Sequence, residues 1–394
     1  MKLELPRRTE RVGSVRINDL QRVILLDSTD EASVEEKSVI GISNYKLRET
    51  EQKTAIIVPV KNEQLKLFEG VLSAIPKECL IIVVSNSNRD ETDRFKMEHD
   101  MIEQHVRFAN RNIWIIHQRD KGVGAALKKV KYGELLDKNG LIRNGKAEGM
   151  VLGMLLAKAA KKEYVGFIDA DNYIPGAVHE YVKIFGAAFN LARSPYAMVR
   201  ISWAYKPKIF DGSLYFSRWG RVSDVTNKYL NRLTSSNAEF ETEVVKTGNS
   251  GEHAMTMKLA EILDYKSRFA VEPYEIVTIL EQFGEKLATK PKFKGPIEKG
   301  VEIFQVETRN PHFHELMGDE HITDMTYDAL STIICSSLCP DSLRKEILQE
   351  YPEKRLLLKA KEKPIKNFSQ VDTKKFLYYL TKNDSLLIHS ESTK

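Results

Sequence analysis

Short apolar runs alternate with helical patterns through the middle of the chain. Four runs rich in β-branched residues read as buried parallel strands, at residues 54–60, 80–85, 112–117 and 164–169. Between them, residues 62–75 and about 90–110 repeat apolar positions at helical spacing. This alternation predicts an α/β fold with a doubly wound, mostly parallel sheet flanked by helices.

The two ends of the chain follow the pattern less closely. Residues 1–50 are charged and weakly patterned, and we predict a small N-terminal extension that adds edge strands. A central α/β half is predicted at 51–205. After a strand predicted at 198–205, residues 206–320 form an irregular half rich in Gly, Ser, Asn and Tyr, with strands predicted at 275–280 and 301–306. The remainder, 321–394, is predicted to be helical.

Composition narrows the class of protein. The 394 residues are 42% hydrophobic and 29% charged, which is typical of a folded globular protein. Lysine plus arginine number 60 against 55 for aspartate plus glutamate, and the surplus of +5 is small for a protein that binds nucleic acid. No apolar run approaches the roughly 18 residues of a membrane helix. With only three cysteines and no signal-peptide pattern, we expect a cytoplasmic protein without a membrane partner.

Polar residues follow the predicted strands, where open parallel sheets bind their ligands. The first strand ends in the sequence VPVKNE at residues 58–63, and the second ends in SNSN at 85–88. Both loops have polar atoms suited to a base or a ribose. An equally simple interpretation of the first is a strand-to-helix turn in which Asn62 caps the helix.

The fourth predicted strand ends in two carboxylates, Asp169 and Asp171, separated by one residue. Two neighbouring carboxylates repel each other unless a cation lies close to them. Mg²⁺ and Mn²⁺ suit oxygen ligands and commonly bridge to a diphosphate, so this segment predicts a nucleotide-diphosphate site. A turn that happens to contain two acids is the alternative.

Two histidines follow the late strand predicted at 301–306. His312 and His314 lie two residues apart, and the imidazole of either is a suitable ligand for a metal of the Mn²⁺ class. We expect one of them to coordinate the metal. A purely structural role for both histidines remains open.

Basic and glycine-rich segments complete the candidate chemistry. Lys146 lies where a helix is predicted to start, and the N–H groups of a helix start attract phosphate. Arg221 lies beside glycine and hydroxyl groups, which together capture carboxylates and phosphates. Glu252 and His253 end a second glycine-rich segment. A plain turn is the alternative for the last two segments.

Six segments in this order resemble the mannosyl-3-phosphoglycerate synthases, which are GT-A fold nucleotide-sugar glycosyltransferases with a Rossmann-like sheet. They are VPVKNE at 58–63, NGKAEGM at 144–150, DADN at 169–172, WGRVS at 219–223, NSGEHA at 249–254 and RNPHFH at 309–314. The resemblance implies transfer of mannose from GDP-mannose to 3-phosphoglycerate with retention at the anomeric carbon, on the route to the compatible solute mannosylglycerate. It also implies a homodimer.

The resemblance carries roles to individual positions. The nucleotide-sugar site is expected at Pro59, Val60, Glu63, Ser85, Asn86, Lys121, Lys146, Glu148, Asp169 and Ala170. The acceptor site is expected at Gly220, Arg221, Ser223, Asn249 and Arg309. Asp169, Asp171, Glu252 and Arg221 are the expected catalytic residues. Mg²⁺ or Mn²⁺ is expected on Asp169 and Asp171 with His312 or His314, and we favour His312.

Two other functions remain open on the sequence alone. A glucosyl-3-phosphoglycerate synthase, which uses a nucleotide-glucose donor, has a similar G-R-V-T segment where this chain has serine at Ser223. A non-enzymatic protein that binds polyanions through the lysines of 121–131 is the second alternative, although aromatic residues are not interleaved there. The many balanced charges also predict surface ion pairs of the kind that thermophile proteins use.

Overall fold

The computed structural model describes residues 1–4, 6, 8–20, 23–25, 39–203, 208–210, 213–215, 221–238, 240–284, 293–315, 319–352 and 354–390. The strands are β1 (Lys2–Glu4), β2 (Arg8–Val12), β3 (Val15–Leu20), β4 (Val23–Leu25), β5 (Val39–Gly41), β6 (Thr54–Val60), β7 (Leu80–Ser85), β8 (Ile113–His117), β9 (Tyr164–Phe167), β10 (Ala197–Ser202), β11 (Lys208–Phe210), β12 (Ser213–Tyr215), β13 (His253–Thr256), β14 (Val301–Glu307), β15 (His314–Glu315) and β16 (Leu386–His389). The helices are α1 (Asn44–Gln52), α2 (Leu65–Ala74), α3 (Arg94–Ala109), α4 (Lys121–Lys129), α5 (Lys146–Ala159), α6 (Pro175–Leu191), α7 (Arg221–Ala238), α8 (Met257–Ala260), α9 (Val271–Phe283), α10 (Lys294–Lys299), α11 (Asp319–Ile334), α12 (Asp341–Glu350), α13 (Lys354–Ala360) and α14 (Thr373–Lys382).

One large mixed sheet organises the described part of the chain. Its strand order is β16-β8-β7-β6-β9-β13-β10-β14-β3-β2. Strands β8, β7, β6 and β9 run parallel to one another, as do β10, β14 and β3. Strands β13, β16 and β2 run in the opposite direction. The parallel strands therefore present their carboxyl ends along one edge.

Helices cover both faces of this sheet. Along β6, Ala55 and Ile57 belong to one apolar core while Ile56 and Val58 belong to the other, as the period of two in a strand requires. Helix α5 packs in the first core, and helices α2 and α6 pack in the second. Because both faces are buried, the strands are almost wholly apolar, and for that reason they stood out in the sequence.

The strand predictions are confirmed except for one. The runs at 54–60, 80–85, 112–117, 164–169, 198–205 and 301–306 correspond to β6, β7, β8, β9, β10 and β14, with ends that differ by up to two residues where the chain is described. The strand predicted at 275–280 is wrong, because these residues lie within helix α9. All six are buried, so neither a helical nor a strand period marks them in the sequence.

Both ends of the chain join the large sheet. Strands β2 and β3 extend it beyond β14, which confirms that the N-terminal segment adds edge strands. The C-terminal region is helical from α11 to α14, but it ends in strand β16, which the sequence prediction missed. All four predicted segments thus contribute strands to one sheet. The division of the chain into four segments with different functions stays a prediction.

Two further findings bear on the expected class of protein. Among the described residues, every helix is too short or too polar to cross a membrane. The three cysteines are free thiols, with Cys79 and Cys339 buried and Cys335 exposed.

Candidate active site

The sheet brings the predicted acidic and histidine residues to one edge. Asp169 follows β9, and His312 follows β14, at the carboxyl ends of two strands of the parallel set. Strand β13 runs the other way, so the loop of residues 247–252 that precedes it reaches the same edge. His253 pairs with Phe167, which places Glu252 beside the end of β9.

Lys146, in the first turn of α5, lies between two carboxylates. Its Nζ is 2.7 Å from Asp169 Oδ1 and 3.0 Å from Glu272 Oε1. Burial disfavours the lysine's charge, but the two carboxylates outweigh it and raise the pKa of Lys146. A Cβ built on Gly251 would lie 2.5 Å from Asp169 Oδ2, so any larger residue at this position would have to displace the Asp169 carboxylate from Lys146.

Asp171 and Glu252 are carboxylates whose protonation is shifted by their surroundings. Burial, with the neighbouring charge of Asp169, raises the pKa of Asp171 to about 6. The same two causes raise the pKa of Glu252 to about 8, although Asn172 donates to Glu252 Oε1 at 2.8 Å. Glu252 Oε2 is buried and accepts no hydrogen bond from the described residues. Among the described neighbours, ionisation of both carboxyl groups is therefore disfavoured.

His312 faces this cluster. Its Nδ1 lies 3.8 Å from Glu252 Oε1, and its ring lies against Trp203 with the ring centroids 4.8 Å apart. Trp203 is itself fixed, because its Nε1 donates to the Tyr181 hydroxyl at 3.1 Å. His314 lies in β15, where its backbone pairs with Lys208, and its side chain lies outside the described part of the structure.

The VPVKNE loop is shaped by a left-handed residue. Asn62 has φ = 65°, a conformation that asparagine tolerates better than most residues. Its N–H donates to Ser87 Oγ at 2.7 Å, and its side-chain oxygen accepts from the Asn88 N–H at 2.9 Å. Asn62 therefore joins two strand-end loops and does not cap α2, whose N-cap is Gln64. Nearby, burial, with a smaller effect of Asp169, raises the pKa of Glu63.

The end of β7 is held by a buried acid that sequence reasoning missed. The hydroxyls of Ser85 and Ser87 donate to the two Glu98 oxygens at 2.6 and 2.5 Å. Glu98, on α3, is fully buried, and burial raises its pKa. The Ser85 hydroxyl is thus engaged inside the protein, so any nucleotide contact at this position would come from the backbone.

Other predicted nucleotide-site residues lie along the same edge. Pro59 and Val60 end β6, and the Asn86 N–H donates to the Val60 carbonyl at 2.8 Å. Ala170 is buried between the two aspartates of its motif, and Lys121 is exposed at the start of α4, just after β8.

Glu148 has partners within the protein. It is buried, it forms a 3.3 Å ion pair with Arg143, and it accepts from the Arg268 N–H at 3.4 Å. Both partners order the first turn of α5, where Lys146 also lies. A role for Glu148 in binding the nucleotide stays a prediction.

The predicted acceptor residues are only partly assembled. Ser223, in the first turn of α7, and Asn249 line one small cleft with Trp203 and Ser250. The Asn249 side-chain oxygen is buried and accepts no hydrogen bond from the described residues. Gly220 and the Arg221 side chain lie outside the described part of the structure, although the Arg221 backbone begins α7. The remaining member, Arg309, is exposed, with its N–H bonded to Glu180 at 2.9 Å.

Several residues that support the site carried no recognisable sequence signal. Glu275 fell in a segment interpreted as a strand, Glu272 lay just before that segment, and Arg200 lay inside an apolar strand. A charged residue within a buried run is a usable signal, because burial of a charge requires a partner. In the described residues, no three acidic, imidazole or thiol groups converge as a metal site would require, and Asp169 is engaged by Lys146.

Comparison with known proteins decides the family. A model of the mannosyl-3-phosphoglycerate synthase family matches residues 5–380. The chain belongs to this family. Among curated relatives, the mannosyl-3-phosphoglycerate synthase of Pyrococcus furiosus is 46% identical over 392 residues, covering 98% of this chain and 99% of the relative. The mannosyl-3-phosphoglycerate synthase of Aeropyrum pernix is 39% identical over 351 residues and covers 89% of each chain.

Solved structures of a different synthase are similar in fold to this chain. A glucosyl-3-phosphoglycerate synthase from Mycobacterium tuberculosis, in complex with Mn²⁺ and UDP-glucose, has a TM-score of 0.51 at 19% identity, covering 77% of this chain and 86% of that one. A structure of the same protein that also contains phosphoglyceric acid has a TM-score of 0.50 at 18% identity, with the same coverage. The predicted GT-A fold is thereby confirmed.

Membership in the mannosyl-3-phosphoglycerate synthase family also confirms the predicted class of function. The chain is a glycosyltransferase, and the alternative of a non-enzymatic polyanion-binding protein is not supported. The roles assigned to individual site residues stay predictions.

Proposed function

We propose that this chain transfers mannose from GDP-mannose to 3-phosphoglycerate, with a divalent cation and with retention at the anomeric carbon. The observation that carries this proposal is the convergence of Lys146, Asp169, Asp171 and Glu252 at the carboxyl edge of the sheet, next to the cleft of Ser223 and Asn249. The two curated relatives carry the name of this activity. We also propose that the enzyme is cytoplasmic and homodimeric, and light scattering of the purified protein tests the second point.

The donor types around the acidic cluster suit Mg²⁺ or Mn²⁺, although no three of them converge on one point among the described residues. Glu252 Oε2 is buried without a hydrogen bond among the described residues, and Asp169 and Asp171 repel each other enough to raise the pKa of Asp171 further. A cation would relieve both conditions, and carboxylate and imidazole groups are suitable ligands for it. Asp169 and Asp171 would hold the cation, with His312 as the imidazole ligand. When bound, the cation supplies positive charge to the leaving diphosphate.

The donor side relies on Lys146 and the two strand-end loops. Lys146 brings a positive charge to the N-terminus of α5, where free backbone N–H groups also attract a diphosphate. The loops after β6 and β7 are tied together by Asn62, so their backbone groups present a fixed edge to the nucleoside. Fixed groups cost little reorganisation when the substrate binds.

The acceptor side needs groups for a phosphate and a carboxylate. The first turn of α7, which includes Arg221 and Ser223, offers backbone N–H groups and a hydroxyl. Asn249 adds a buried oxygen that can accept from an acceptor hydroxyl. Trp203 lines this cleft and also contacts His312, so the acceptor cleft and the acidic cluster share a wall.

A donor panel tests the proposed function. GDP-mannose, GDP-glucose and UDP-glucose are each incubated with 3-phosphoglycerate and Mg²⁺ or Mn²⁺, and the products are identified by mass spectrometry and NMR. We expect mannosyl-3-phosphoglycerate from GDP-mannose, at a kcat/KM well above that of the other donors. Preference for a glucose donor would instead assign the chain as a glucosyl-3-phosphoglycerate synthase.

Arg221→Ala is expected to weaken the acceptor selectively. Charge-assisted hydrogen bonds to phosphate contribute about 1.5–3 kcal/mol each, so we expect the KM for 3-phosphoglycerate to rise about 10-fold to 100-fold. The KM for GDP-mannose should change less than about twofold. Arg232→Ala, on the same helix and paired with Glu346 at 2.5 Å, is the control. An equal rise in both KM values would contradict the assignment.

Retention is expected to proceed by front-face attack, with the departing diphosphate taking the acceptor's proton. Glu252 is held by Asn172 and faces His312, an arrangement that orients a sugar or an acceptor. We therefore expect no covalent glycosyl adduct on Glu252 in mass spectra of the enzyme quenched during turnover or incubated with a fluorinated donor. A stable adduct mapped to this residue would establish the double-displacement route instead.

A further inference from the structure

A buried cluster of charged residues lies directly beneath the 247–252 loop. We call Arg200, His253 and Glu275 the loop-anchor cluster; all three side chains are fully buried. Arg200 on β10 and His253 on β13 are directly paired across the sheet. Glu275 on α9 meets both, at 2.9 Å from the Arg200 guanidinium and 3.2 Å from His253 Nε2.

Arg200 anchors the start of the loop. Its Nε donates to the Thr247 carbonyl at 2.9 Å, and one terminal nitrogen donates to the Gly248 carbonyl at 3.4 Å and the Glu272 carbonyl at 3.0 Å. The other terminal nitrogen faces Glu275 and, at 3.6 Å, the Met198 sulfur. Every N–H of the guanidinium therefore has a partner. Three of the five partners are backbone carbonyls, of Thr247 and Gly248 in the loop and of Glu272 on α9.

His253 anchors the end of the loop. Its Nδ1 lies 2.9 Å from the Ser250 carbonyl and 3.0 Å from the Gly251 carbonyl. Its Nε2 lies on the opposite side of the ring and meets Glu275. Glu275 consequently contacts both anchors of the loop.

The anchored loop carries the groups of the active site. Between the two anchors, Ser250 Oγ donates to the carbonyl of Glu252 at 2.8 Å or that of Ile201 at 2.9 Å. Gly251 packs against Asp169, and Glu252 extends into the acidic cluster. The cluster also fixes the backbone of Glu272, whose carboxylate holds Lys146. A shift of Glu275 would thus move the 247–252 loop and displace Glu252.

Stability is a poor explanation for this arrangement. Burying charges is costly, and well-packed apolar residues of similar volume often replace buried ion pairs without loss of stability. We propose that Glu275 is a positioning residue for glycosyl transfer, which holds the 247–252 loop, and through it Glu252, in the reactive geometry. The inference rests on the proposed function, because Glu252 is placed at the transfer site there.

Steady-state kinetics of Glu275→Gln test the proposal. Glutamine keeps the size of the side chain but removes the carboxylate charge that faces the Arg200 guanidinium, so the hold on the loop should weaken. Because small misplacements of reacting groups cost about 10²-fold, we expect kcat to fall about 10-fold to 100-fold. The KM values for both substrates should stay within about threefold, and circular dichroism should show a folded protein.

Glu302→Gln is the matched control. Glu302 is also a buried carboxylate of this sheet, paired with Arg16 at 2.8 Å and accepting from two backbone N–H groups. It lies at the start of β14, away from the carboxyl edge. We expect a lower unfolding temperature with unchanged kcat. If Glu275→Gln behaves in the same way, its role is structural and the proposal fails.

A double-mutant cycle with Glu252→Gln tests the route of the effect. If Glu275 acts through Glu252, the double variant should be no slower than Glu252→Gln alone, whereas multiplied losses would overturn the proposal. Should Glu275→Gln fail to fold, His253→Gln removes one anchor only, and a folded His253→Gln protein with wild-type kcat would also overturn it. Absence of turnover by the wild-type enzyme would refute the proposed function instead of this inference.

Discussion

Asp171→Ala is expected to lower kcat by at least about 10³-fold while leaving the fold intact. Groups that stabilise developing charge in a transition state are worth about 10²–10³-fold each, and a residue that holds the cation carries such a stabilising charge. Asp171 is mostly buried beside Asp169, with a pKa raised to about 6. Removing one carboxylate relieves repulsion in the absence of a cation, so the unfolding temperature should not fall. Assays across a Mn²⁺ titration, together with calorimetric binding of Mn²⁺ to the free enzyme, measure the effect.

Asp100→Ala serves as the control for this experiment. Asp100 is an exposed carboxylate on α3 that pairs with Lys96 at 2.8 Å. Its removal should leave both kcat and Mn²⁺ binding unchanged, since exposed pairs contribute little. Full activity in Asp171→Ala would refute the cation site, whereas lost activity with unchanged Mn²⁺ binding would assign Asp171 another role.

Lys146→Met should be nearly as damaging, with a different kinetic signature. The variant removes the positive charge of Lys146, which lies between Asp169 and Glu272. We assign the same charge to binding of the donor diphosphate. We expect kcat/KM for GDP-mannose to fall about 10²-fold or more, because a charge-assisted contact is lost and the Asp169 and Glu272 carboxylates lose the cation between them. Product inhibition by GDP should weaken in parallel, which competition experiments measure.

Lys158→Met separates this effect from loss of helix stability. Lys158 lies on the same helix, α5, and forms a 2.7 Å pair with Glu261, with a similar partial exposure. Its described contacts are with Glu261, Phe368 and Ser369, which are not predicted site residues, so its loss should lower the unfolding temperature without changing the affinity for GDP. Equal kinetic effects in the two lysine variants would show that Lys146 acts through α5 alone.

The fold was predictable where buried elements produce a clear pattern of apolar residues in the sequence. Strands β6 and β7 are covered on both faces, so they appear as continuous apolar runs between polar loops. Helix α9 was misread for the same reason, because a helix buried on all sides has no polar face to reveal its period. Strand β16 is short and partly exposed, so only its pairing with β8 identifies it.

The candidate site was predictable in part. Asp169, Asp171 and His312 follow strand ends, and topology alone brings such positions together. Sequence reasoning does not show which partners the fold supplies from distant segments. Glu98 on α3 contacts Ser85, and Glu275 on α9 contacts Arg200 across the core. These contacts depend on how the elements pack together, so no fixed spacing in the sequence reveals them.

The position of the chain ends in the sheet has a consequence for how the protein is made. β16 closes one edge of the sheet, and β2, which β3 joins to β14, closes the other. Val15 pairs with Val301, so the N-terminal strands have no place to dock until most of the chain has left the ribosome. β2 and β3 can pair with each other early, but nascent chains should hold this hairpin undocked from the sheet until late in synthesis, with slow final closure as expected for long-range pairings. A tag at the C-terminus would adjoin the last strand to close, and a short spacer there should improve yield.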